Sequence, residues 1–341
     1  MSEETTPPQR TSRWRIAAGF IGAAVVGLGL FGTFLNLVLR YTVLQEAGYR
    51  FVATAALGEL IGLCLALMTT AGALVLWFAP RPWRMGALAV LLPWLVLIWI
   101  TAPTLGGLVS PERAEGGTEF SVLVQNLWYM NNHPEPSVDA LLERDADVMV
   151  IVEYIPEHAE AFADANIDDR YPYRWEQPVP NGPGLAVFSR FPMSEPTLLP
   201  MTLTGVRTEL DIDGHEVTLF GIHPVSPTDL YSLPMWQRDL REVASAVRDA
   251  GPATVVAGDF NASAGHRRFR EVMSAGDLRD AQDVGGGGFM PTWPVGGRSP
   301  SVVRLDHILV GPDIGVAGVE VLDWIGADHR GVEAQLRVPR S

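Results

Sequence analysis

The stretch TVVAGDFN, residues 254–261, decides the fold of the second part of this chain. Short apolar runs rich in β-branched residues are typical of buried strands, so we expect a strand over Thr254–Ala257. Two polar residues, Asp259 and Asn261, follow that run directly. An aspartate or asparagine after a strand is usually a turn former, so this pair alone is a weak signal. Its weight depends on whether other strands end in the same way.

Polar residues also stand at one end of other predicted strands. Glu153 follows the apolar run Val148–Val152. The others are Asn126, His223, Asp306, Asp328 and His329. Carboxylates suit a hard cation such as Mg²⁺, amides suit phosphate oxygens, and imidazoles suit proton transfer. Together these side chains provide the groups needed for metal-assisted hydrolysis of a phosphoester.

Strand and helix patterns alternate along the chain from residue 118. The predicted strands are Phe120–Leu127, Val148–Val152, Leu185–Phe188, Val217–Ile222, Thr254–Ala257, Leu305–Val310 and Val316–Leu322. The predicted helices are Ser137–Glu143 and Leu233–Val247, and Asp213-Gly214 is typical of a hairpin turn. Trp236, Leu240, Val243 and Val247 keep a helical spacing that would pack on a sheet. Hairpins covered by helices predict a layered α/β sandwich.

Three apolar stretches near the start of the chain are long enough to cross a membrane: Ile16–Leu39, Phe51–Ala79 and Met85–Val109. A helix needs about 20 apolar residues to cross the hydrocarbon core. The first stretch is also longer than the roughly 7 to 15 apolar residues of a cleaved signal peptide. We therefore expect three transmembrane helices.

The arginines predict the orientation of these helices. Five of them, Arg10, Arg13, Arg15, Arg81 and Arg84, precede the first stretch or separate the second from the third; Arg40 and Arg50 separate the first two. Because positively charged loops stay in the cytoplasm, the N-terminus is predicted to be cytoplasmic. The expected order in the cell membrane is a cytoplasmic segment 1–15, a three-helix region 16–109, a linker 110–117 and an extracytoplasmic catalytic domain 118–341.

Charge and single residues narrow the function classes. Residues 118–341 contain 17 arginines and 33 acidic residues, a net charge of −16. Such a field repels polyanions, so nucleic acid is disfavoured as a partner, although a local basic groove would escape this count.

The sole cysteine, Cys64, allows no disulfide within the chain. Glu59 lies inside an apolar stretch, and we expect it to snorkel or to pair with a neighbouring helix.

Eight motifs, in order, resemble the endonuclease/exonuclease/phosphatase superfamily. They are Val124-Gln125-Asn126, Val152-Glu153, GLAVFSR at 184–190, Ile222-His223-Pro224, GDFN at 258–261, PTWP at 291–294, RLDHI at 304–308 and ADHR at 327–330. The resemblance covers about residues 118–338 and implies a four-layer α/β sandwich of the DNase I type. The three apolar stretches make the chain similar to the membrane-bound branch that includes glycopeptide-resistance proteins of high-GC Gram-positive bacteria.

The resemblance also implies a metal site. Glu153 would be the principal ligand of Mg²⁺, with Mn²⁺ as the alternative, and Asn126 would assist it. Asp328 would lie near the metal. Water would complete the octahedral coordination that Mg²⁺ prefers.

The remaining residues would act on the phosphate group, again as the resemblance implies. Asp259 would orient or deprotonate the attacking water, and Asn261 would hold a phosphate oxygen. His223 would donate to the phosphoryl oxygens. His329, oriented by Asp306, would be the second imidazole beside the phosphorus. The general base is Asp259 or His329, and the sequence leaves both open.

The other histidines receive no catalytic role. His307 stands where many relatives have tyrosine or another large residue, so we expect it to pack beside Asp306. The four that match no motif, His133, His158, His215 and His266, are expected at the surface.

Three functions fit these observations. The first is a membrane-anchored, metal-dependent phosphoesterase acting on a lipid-linked phosphate or pyrophosphate, because a tether raises effective concentration for a membrane substrate. The second is an extracytoplasmic nuclease or a phosphatase of soluble substrates, since the motifs fit it equally well. The third is a binding module without activity. It would require that a residue predicted to bind the metal or the phosphate be replaced by one that cannot, and none of these residues is replaced.

Overall fold

The computed structural model describes residues 12–131, 133–297, 300–323 and 326–339. The chain divides into two compact units. The first unit comprises the chain up to Tyr41 together with Gly58–Thr101, and the second comprises Thr42–Leu57 together with everything from Ala102 onwards. Most of the predicted cytoplasmic segment, up to residue 11, lies outside the described residues.

Three helices are long and apolar enough to span a membrane: Arg13–Tyr41, Gly58–Trp77 and Arg81–Ile100. Their bounds correct two of the predicted stretches. Phe51–Ala79 is not one helix, because Tyr49–Ala56 forms a separate helix and the long one begins only at Gly58. Met85–Val109 is also divided, since the third span ends at Ile100 and another helix follows. Hydropathy counts apolar residues but does not distinguish those that face lipid from those that pack on a domain.

The helices up to residue 109 are as follows. α1 is Arg13–Tyr41, α2 is Tyr49–Ala56, α3 is Gly58–Trp77, α4 is Arg81–Arg84, α5 is Leu91–Ile100 and α6 is Ala102–Val109. Short 3-10 helices at Val43–Ala47 and Met85–Val90 precede α2 and α5.

The first unit is built on close contact between α1 and α3. A Cβ atom added at Gly29 would lie 2.1 Å from Thr69 Oγ1, so a glycine is needed at this crossing. Near the other end, Arg40 Nη1 lies 2.7 Å from Glu59 Oε1. The expectation that Glu59 pairs with a neighbouring helix is therefore confirmed.

The second unit contains two six-stranded sheets. Its strands are β1 Thr118–Asn126, β2 Val148–Val152, β3 Tyr173–Gln177, β4 Leu185–Ser189, β5 Thr197–Leu198, β6 Gly205–Ile212, β7 His215–Ile222, β8 Thr254–Asp259, β9 Arg279–Asp280, β10 Asp306–Val310, β11 Gly315–Val321 and β12 Val332–Val338. The first sheet has the order β11-β12-β1-β2-β4-β3, and the second has the order β5-β6-β7-β8-β10-β9. The predicted turn at Asp213-Gly214 joins β6 to β7, and both of its residues have positive φ.

Helices cover the outer faces of both sheets. They are α7 Glu135–Glu143, α8 Pro156–Asp164, α9 Ile167–Arg170, α10 Ser232–Arg248 and α11 Arg267–Ala275, whereas α12 Ala281–Val284 packs Ala281 in the cluster between the sheets. Strand β1 shows why layers form: Val122 and Val124 pack between the sheets, and Leu123 packs under α7 and α8. The apolar stripe of α10 packs on the second sheet as predicted. The result is the four-layer α/β sandwich of the DNase I type that the sequence predicted.

The connection between α1 and α3, residues 42–57, belongs to the second unit. Val52 is 1% exposed and packs in one apolar cluster with residues of β7, β8, α10 and α11. Glu46 binds Arg267 and Arg268, both at 2.8 Å. A Cβ atom at Gly265 would lie 1.9 Å from the Ala55 carbonyl oxygen. The chain from Ala102 to Gly117, part of which was expected to be a linker, also belongs to this unit.

Candidate active site

Strand register brings the predicted polar residues to one edge of the two sheets. In the first sheet, β1 and β2 are parallel and Asn126 pairs with Val152, which places Glu153 beside Asn126. In the second, β7 and β8 are parallel and β10 is antiparallel to β8, with Asp306 paired to Asp259. The carboxyl ends of four strands and the amino end of β10 therefore meet. This is the edge that the sequence identified through its polar strand ends.

Asn126 connects the two sheets at this edge. Its side-chain Nδ2 donates to Glu153 Oε1 at 3.0 Å and to Asp259 Oδ2 at 3.1 Å. The other Glu153 oxygen accepts from the backbone N–H of Tyr129 at 2.8 Å. Glu153 has φ of 55°, a conformation that non-glycine residues adopt only when their surroundings impose it. The carboxylate is therefore held in a fixed position.

Asp259 and Asn261 are fixed by the tight turn after β8. The backbone N–H of Asn261 donates to Asp259 Oδ1 at 2.8 Å, and Asn261 has φ of 47°. Its Nδ2 donates to the Pro224 carbonyl oxygen at 3.1 Å. Gly258 has φ of 155°, and a Cβ there would lie 1.9 Å from the Ile222 carbonyl oxygen. The glycine of the GDFN motif thus permits the close approach of β7 and β8.

Asp306 and His329 form a buried pair. His329 Nδ1 lies 2.8 Å from Asp306 Oδ2, and Asp306 is fully buried. The Thr292 hydroxyl accepts from the backbone N–H of Asp306 at 3.2 Å, which fixes the amino end of β10. The free edge of the ring faces Asp259, since His329 Nε2 lies 3.7 Å from Asp259 Oδ2. The pair therefore faces Asp259, the carboxylate that the family resemblance assigns to activation of the attacking water.

The two site imidazoles have opposite protonation preferences. Burial lowers the pKa of His223, whose Nε2 lies 3.9 Å from Asp259 Oδ2. Burial alone would also lower the pKa of His329, but the carboxylates of Asp306 and Asp259 outweigh it and raise the pKa to about 10. At neutral pH the structure thus favours a neutral His223 and a protonated His329.

Three carboxyl groups lie at this edge, and the protonated His329 offsets only part of their negative charge. Burial raises the pKa of Glu153, Asp259 and Asp328, and the negative charge of Glu153 further raises the pKa of Asp328. Asp328 Oδ1 is buried without a hydrogen-bond partner among those residues. A divalent cation would offset this accumulation of negative charge, and oxygen donors are the ligands that Mg²⁺ and Mn²⁺ accept. The residues present therefore fit a hard metal ion.

A second arrangement of metal-ligating atoms overlaps the first. One atom each of Asp259, Asp306 and His329 lies within 4.8 Å of the others. However, His329 Nδ1 is already bonded to Asp306, so it is not free to bind a metal, and the ring instead directs Nε2 towards Asp259 at 3.7 Å. The Glu153 side of the site has the more suitable donors for a hard cation.

The structure corrects two expectations about histidines. His158 and His266 were expected at the surface, but both are buried, at 0% and 2% exposure. His158 Nδ1 accepts from the backbone N–H of Ile155, and His266 Nδ1 accepts from that of Ser263. Each histidine thus caps a turn three residues upstream, a role that a single sequence position does not reveal.

Other residues support the site without having been predicted to do so. Thr292 stands in the PTWP motif but received no role from the sequence. Arg304, which is 14% exposed, contacts Asp280 and Asp283 at 3.2 and 2.8 Å. Its position beside Asp306 in the RLDHI motif was the available signal. His307 packs inside as expected, but on the face of β10 opposite to Asp306.

Known proteins share this fold. A model of the Endonuclease/Exonuclease/phosphatase family matches residues 123–329. A family protein from Bacteroides thetaiotaomicron is similar, with 15% identity over 67% of this chain and 100% of that one and a TM-score of 0.52. D. rerio TDP2 with single-strand DNA product has 17% identity over 64% and 98%, and a TM-score of 0.52. A B. thetaiotaomicron mannosyl-6-phosphatase has 16% identity over 64% and 99%, and a TM-score of 0.50. A comparison with curated proteins returns no match.

Proposed function

The chain belongs to the endonuclease/exonuclease/phosphatase family, and from this membership we propose that it is a membrane-anchored, metal-dependent phosphoesterase acting on a lipid-linked phosphate or pyrophosphate outside the cytoplasm. The observation that carries the reaction type is the convergence of Asn126, Glu153, Asp259 and the Asp306–His329 pair at one sheet edge. These residues come from both sheets, and packing alone does not require the four of them that are buried, Asn126, Asp259, Asp306 and His329.

Each residue has a distinct task in the proposed reaction. Asp259, within 4 Å of both imidazoles, orients the attacking water and can accept its proton. His329, held by Asp306, is positioned to stabilise negative charge on the phosphoryl oxygens while it is protonated. His223 occupies the other side of Asp259, and Asn261 supports the turn that carries the carboxylate. Whether Asp259 or His329 takes the proton from water depends on the state of His329.

We assign the metal to Glu153, with Asn126 and Asp328 beside it. A bound Mg²⁺ or Mn²⁺ would neutralise the phosphate and polarise its oxygens. Glu153 is suited to this position because its backbone is constrained and one of its oxygens is fixed by the Tyr129 N–H. Asp328 contributes a second, half-buried carboxyl group.

A lipid-linked substrate is favoured by the candidate membrane spans and by charge. Three apolar helices are joined covalently to the unit that carries the site, and such a tether concentrates the site at a membrane. The net charge of −16 in residues 118–341 disfavours polyanionic nucleic acid. This combination makes the chain similar to the membrane-bound, glycopeptide-resistance-like branch of the family. The alternative, a nuclease or a phosphatase of soluble substrates, shares the same catalytic groups.

The topology proposal has independent support. Segment 42–57 follows the first candidate span, and Ala102 follows the third. Two candidate spans separate these segments, so both would lie on the same side of a membrane. Both also belong to the same compact unit. With the arginine bias, that side is extracytoplasmic. Alkaline phosphatase fused after Ser341 should be active. An inactive phosphatase fusion together with a fluorescent fusion of green fluorescent protein at the same position would reverse the assignment, because that reporter fluoresces in the cytoplasm.

Substrate class can be tested with the full chain in detergent or vesicles, because residues 42–57 are part of the catalytic unit. We expect Mg²⁺-dependent phosphate release from lipid pyrophosphates or lipid phosphates, and little from single-stranded DNA, sugar phosphates or nucleotides. Asp259→Asn is the inactive control. Preferential cleavage of DNA would favour the nuclease alternative, and no hydrolysis by the wild type with either metal would contradict the proposal.

A further inference from the structure

Exposed apolar side chains are concentrated in three loops that leave the site edge. The loop after β1 exposes Tyr129 and Met130, and the loop between β7 and α10 exposes Leu230 and Tyr231. The loop before β10 exposes the pair Phe289-Met290. Tyr231 and Leu230 are the most exposed, at 84% and 68%. These six side chains are called the apolar rim below.

Hydrogen bonds fix the backbone of two loops that carry the apolar rim. Asp229 Oδ1 accepts from the backbone N–H groups of Tyr231 at 2.7 Å and of Ser232 at 2.8 Å, which fixes the turn that leads into α10. On another loop, the Met290 carbonyl accepts from Gln282 Nε2 at 3.3 Å. Large apolar side chains held outward around a polar site mark a surface that something covers.

One rim loop, and the helix that follows another, contact the segments that continue into the candidate spans. A Cβ added at Gly288, next to Phe289, would lie 3.0 Å from Leu108 of α6, and α6 directly follows the third candidate span. On the other side, Gln237 in α10 donates to the Glu46 carbonyl oxygen at 3.2 Å. The segments that continue into the candidate spans therefore lie, within the second unit, beside one rim loop and beside the helix that follows another.

The 3-10 helix that carries Glu46 has the same exposed apolar character. Val43 and Leu44 are exposed, and Val43 stands only two residues after the end of α1. Leu108 and Val109 on α6 are exposed as well. Exposed apolar side chains thus occur on both of these segments as well as on the rim, which is the pattern expected of a surface placed in the headgroup region of a bilayer.

We propose that the apolar rim inserts into the interfacial layer of the bilayer that holds the three candidate spans. The partner is the lipid surface itself. Insertion would direct the edge with Glu153 and Asp259 towards phosphate groups at headgroup depth and would restrict access by large soluble polyanions. The membrane contact does not depend on the reaction; its use in presenting a lipid-borne phosphate rests on the proposed function.

The contact can be measured without any turnover. In the full chain with Cys64→Ala, a single environment-sensitive fluorophore is attached through Tyr231→Cys or Phe289→Cys. The matched control is Glu216→Cys, an exposed residue of β7 at the hairpin end, opposite to the site edge. The labelled proteins are reconstituted in phosphatidylcholine vesicles that contain some phosphatidylglycerol, with or without lipids carrying a nitroxide near the headgroup.

We expect a blue-shifted emission and nitroxide quenching at Tyr231→Cys and Phe289→Cys, and neither at Glu216→Cys. Emission at the rim positions equal to that of the control would overturn the proposal. A blue shift without lipid quenching, accompanied by crosslinking of two chains through these cysteines, would show that a second copy covers the rim and would overturn it as well.

Activity separates the surface from the reaction. Leu230→Ser combined with Tyr231→Ser should lower turnover of a lipid phosphate in vesicles by about tenfold, since burial of one large apolar side chain is worth that much or more. Turnover of soluble p-nitrophenyl phosphate should not change. Equal losses on both substrates would contradict the proposal, whereas rim quenching without any hydrolysis would contradict only the proposed reaction.

Discussion

The two faces of strand β10 carry the same chemical pair in different settings. On one face, Asp306 Oδ2 lies 2.8 Å from His329 Nδ1. On the other, the next residue, His307, places its Nδ1 2.7 Å from Asp280 Oδ2. All four side chains are buried. Distance and burial therefore do not distinguish a reactive pair from a structural one.

The difference lies in what each pair leaves unsatisfied. His307 Nε2 bonds to the Ala262 carbonyl oxygen at 2.9 Å, and Asp280 also contacts Arg304. Burial alone would raise the pKa of Asp280, but Arg304 and His307 lower it to about 2. Asp306 Oδ1, by contrast, has no partner among the described residues, and His329 Nε2 faces Asp259. We infer that the satisfied pair stabilises the fold and that the incompletely satisfied pair serves the reaction.

The largest expected effect is on the reactive face. A positioned acid or base contributes about 10² to 10⁴-fold, so His329→Ala should lose that much in kcat/KM and Asp306→Asn a comparable factor. The double variant should be scarcely worse than either single one, because the two residues act as one unit. Steady-state kinetics on p-nitrophenyl phosphate or a lipid phosphate measures all three. Fully multiplicative losses would show independent action, and small losses would remove the pair from the site.

A substitution on the structural face, which carries His307 and Asp280, should change the stability of the protein. Asp280→Asn removes one of the two carboxylates that contact Arg304 and leaves Asp283 as the other. Removing one partner of such an ion pair costs about 3 kcal/mol in free energy of unfolding. The folded protein should keep kcat/KM within about threefold, because no atom of Asp280 faces the site edge. Chemical unfolding in detergent and kinetics below the transition give both values. A 10²-fold loss of activity with unchanged stability would reverse the assignment of the two faces.

The smallest effect concerns pH, and it differs between the faces. The pKa of His329 is raised to about 10 in the folded state, above about 6.5 in the unfolded chain, so its stabilisation is complete below pH 6.5 and is lost as pH rises towards 10. The melting-temperature difference between wild type and His329→Ala in EDTA should shrink over that range. The difference for Asp280→Asn should stay constant there, since the depressed pKa of Asp280 costs stability only as pH falls from about 4 towards 2. Parallel pH profiles would contradict this.

The site edge could be predicted because strand ends are local signals. The apolar run Val148–Val152 predicts a buried strand, and Glu153 after it must leave the core. The family resemblance then implied that Asn126, Asp259 and Asp306 belong to one site, and the structure brings these three residues together. Strands such as β3, without a strong apolar pattern, were not predicted, because partner strands rather than their own residues stabilise them.

Two other features depend on contacts between distant parts of the chain. The φ of 55° at Glu153 is imposed by its surroundings, and its sequence carries no sign of it. Residues 51–57 look like the start of a transmembrane helix because Val52 and Ala55 are apolar, yet both pack in the second unit. A hydropathy pattern reports that a residue avoids water and does not report which apolar environment receives it.

Metal dependence is the central claim, and titration of activity against Mg²⁺ in wild type and Glu153→Gln tests it most directly. Glu153→Gln keeps the shape of the side chain and removes its charge, and Glu157→Gln, at an exposed position of α8, is the matched control for net charge. We predict that Glu153→Gln raises the half-saturating Mg²⁺ concentration at least about tenfold and lowers turnover about 10²-fold or more, with an unchanged melting temperature in EDTA. Full activity of Glu153→Gln at the Mg²⁺ concentration that half-saturates the wild type would contradict the account.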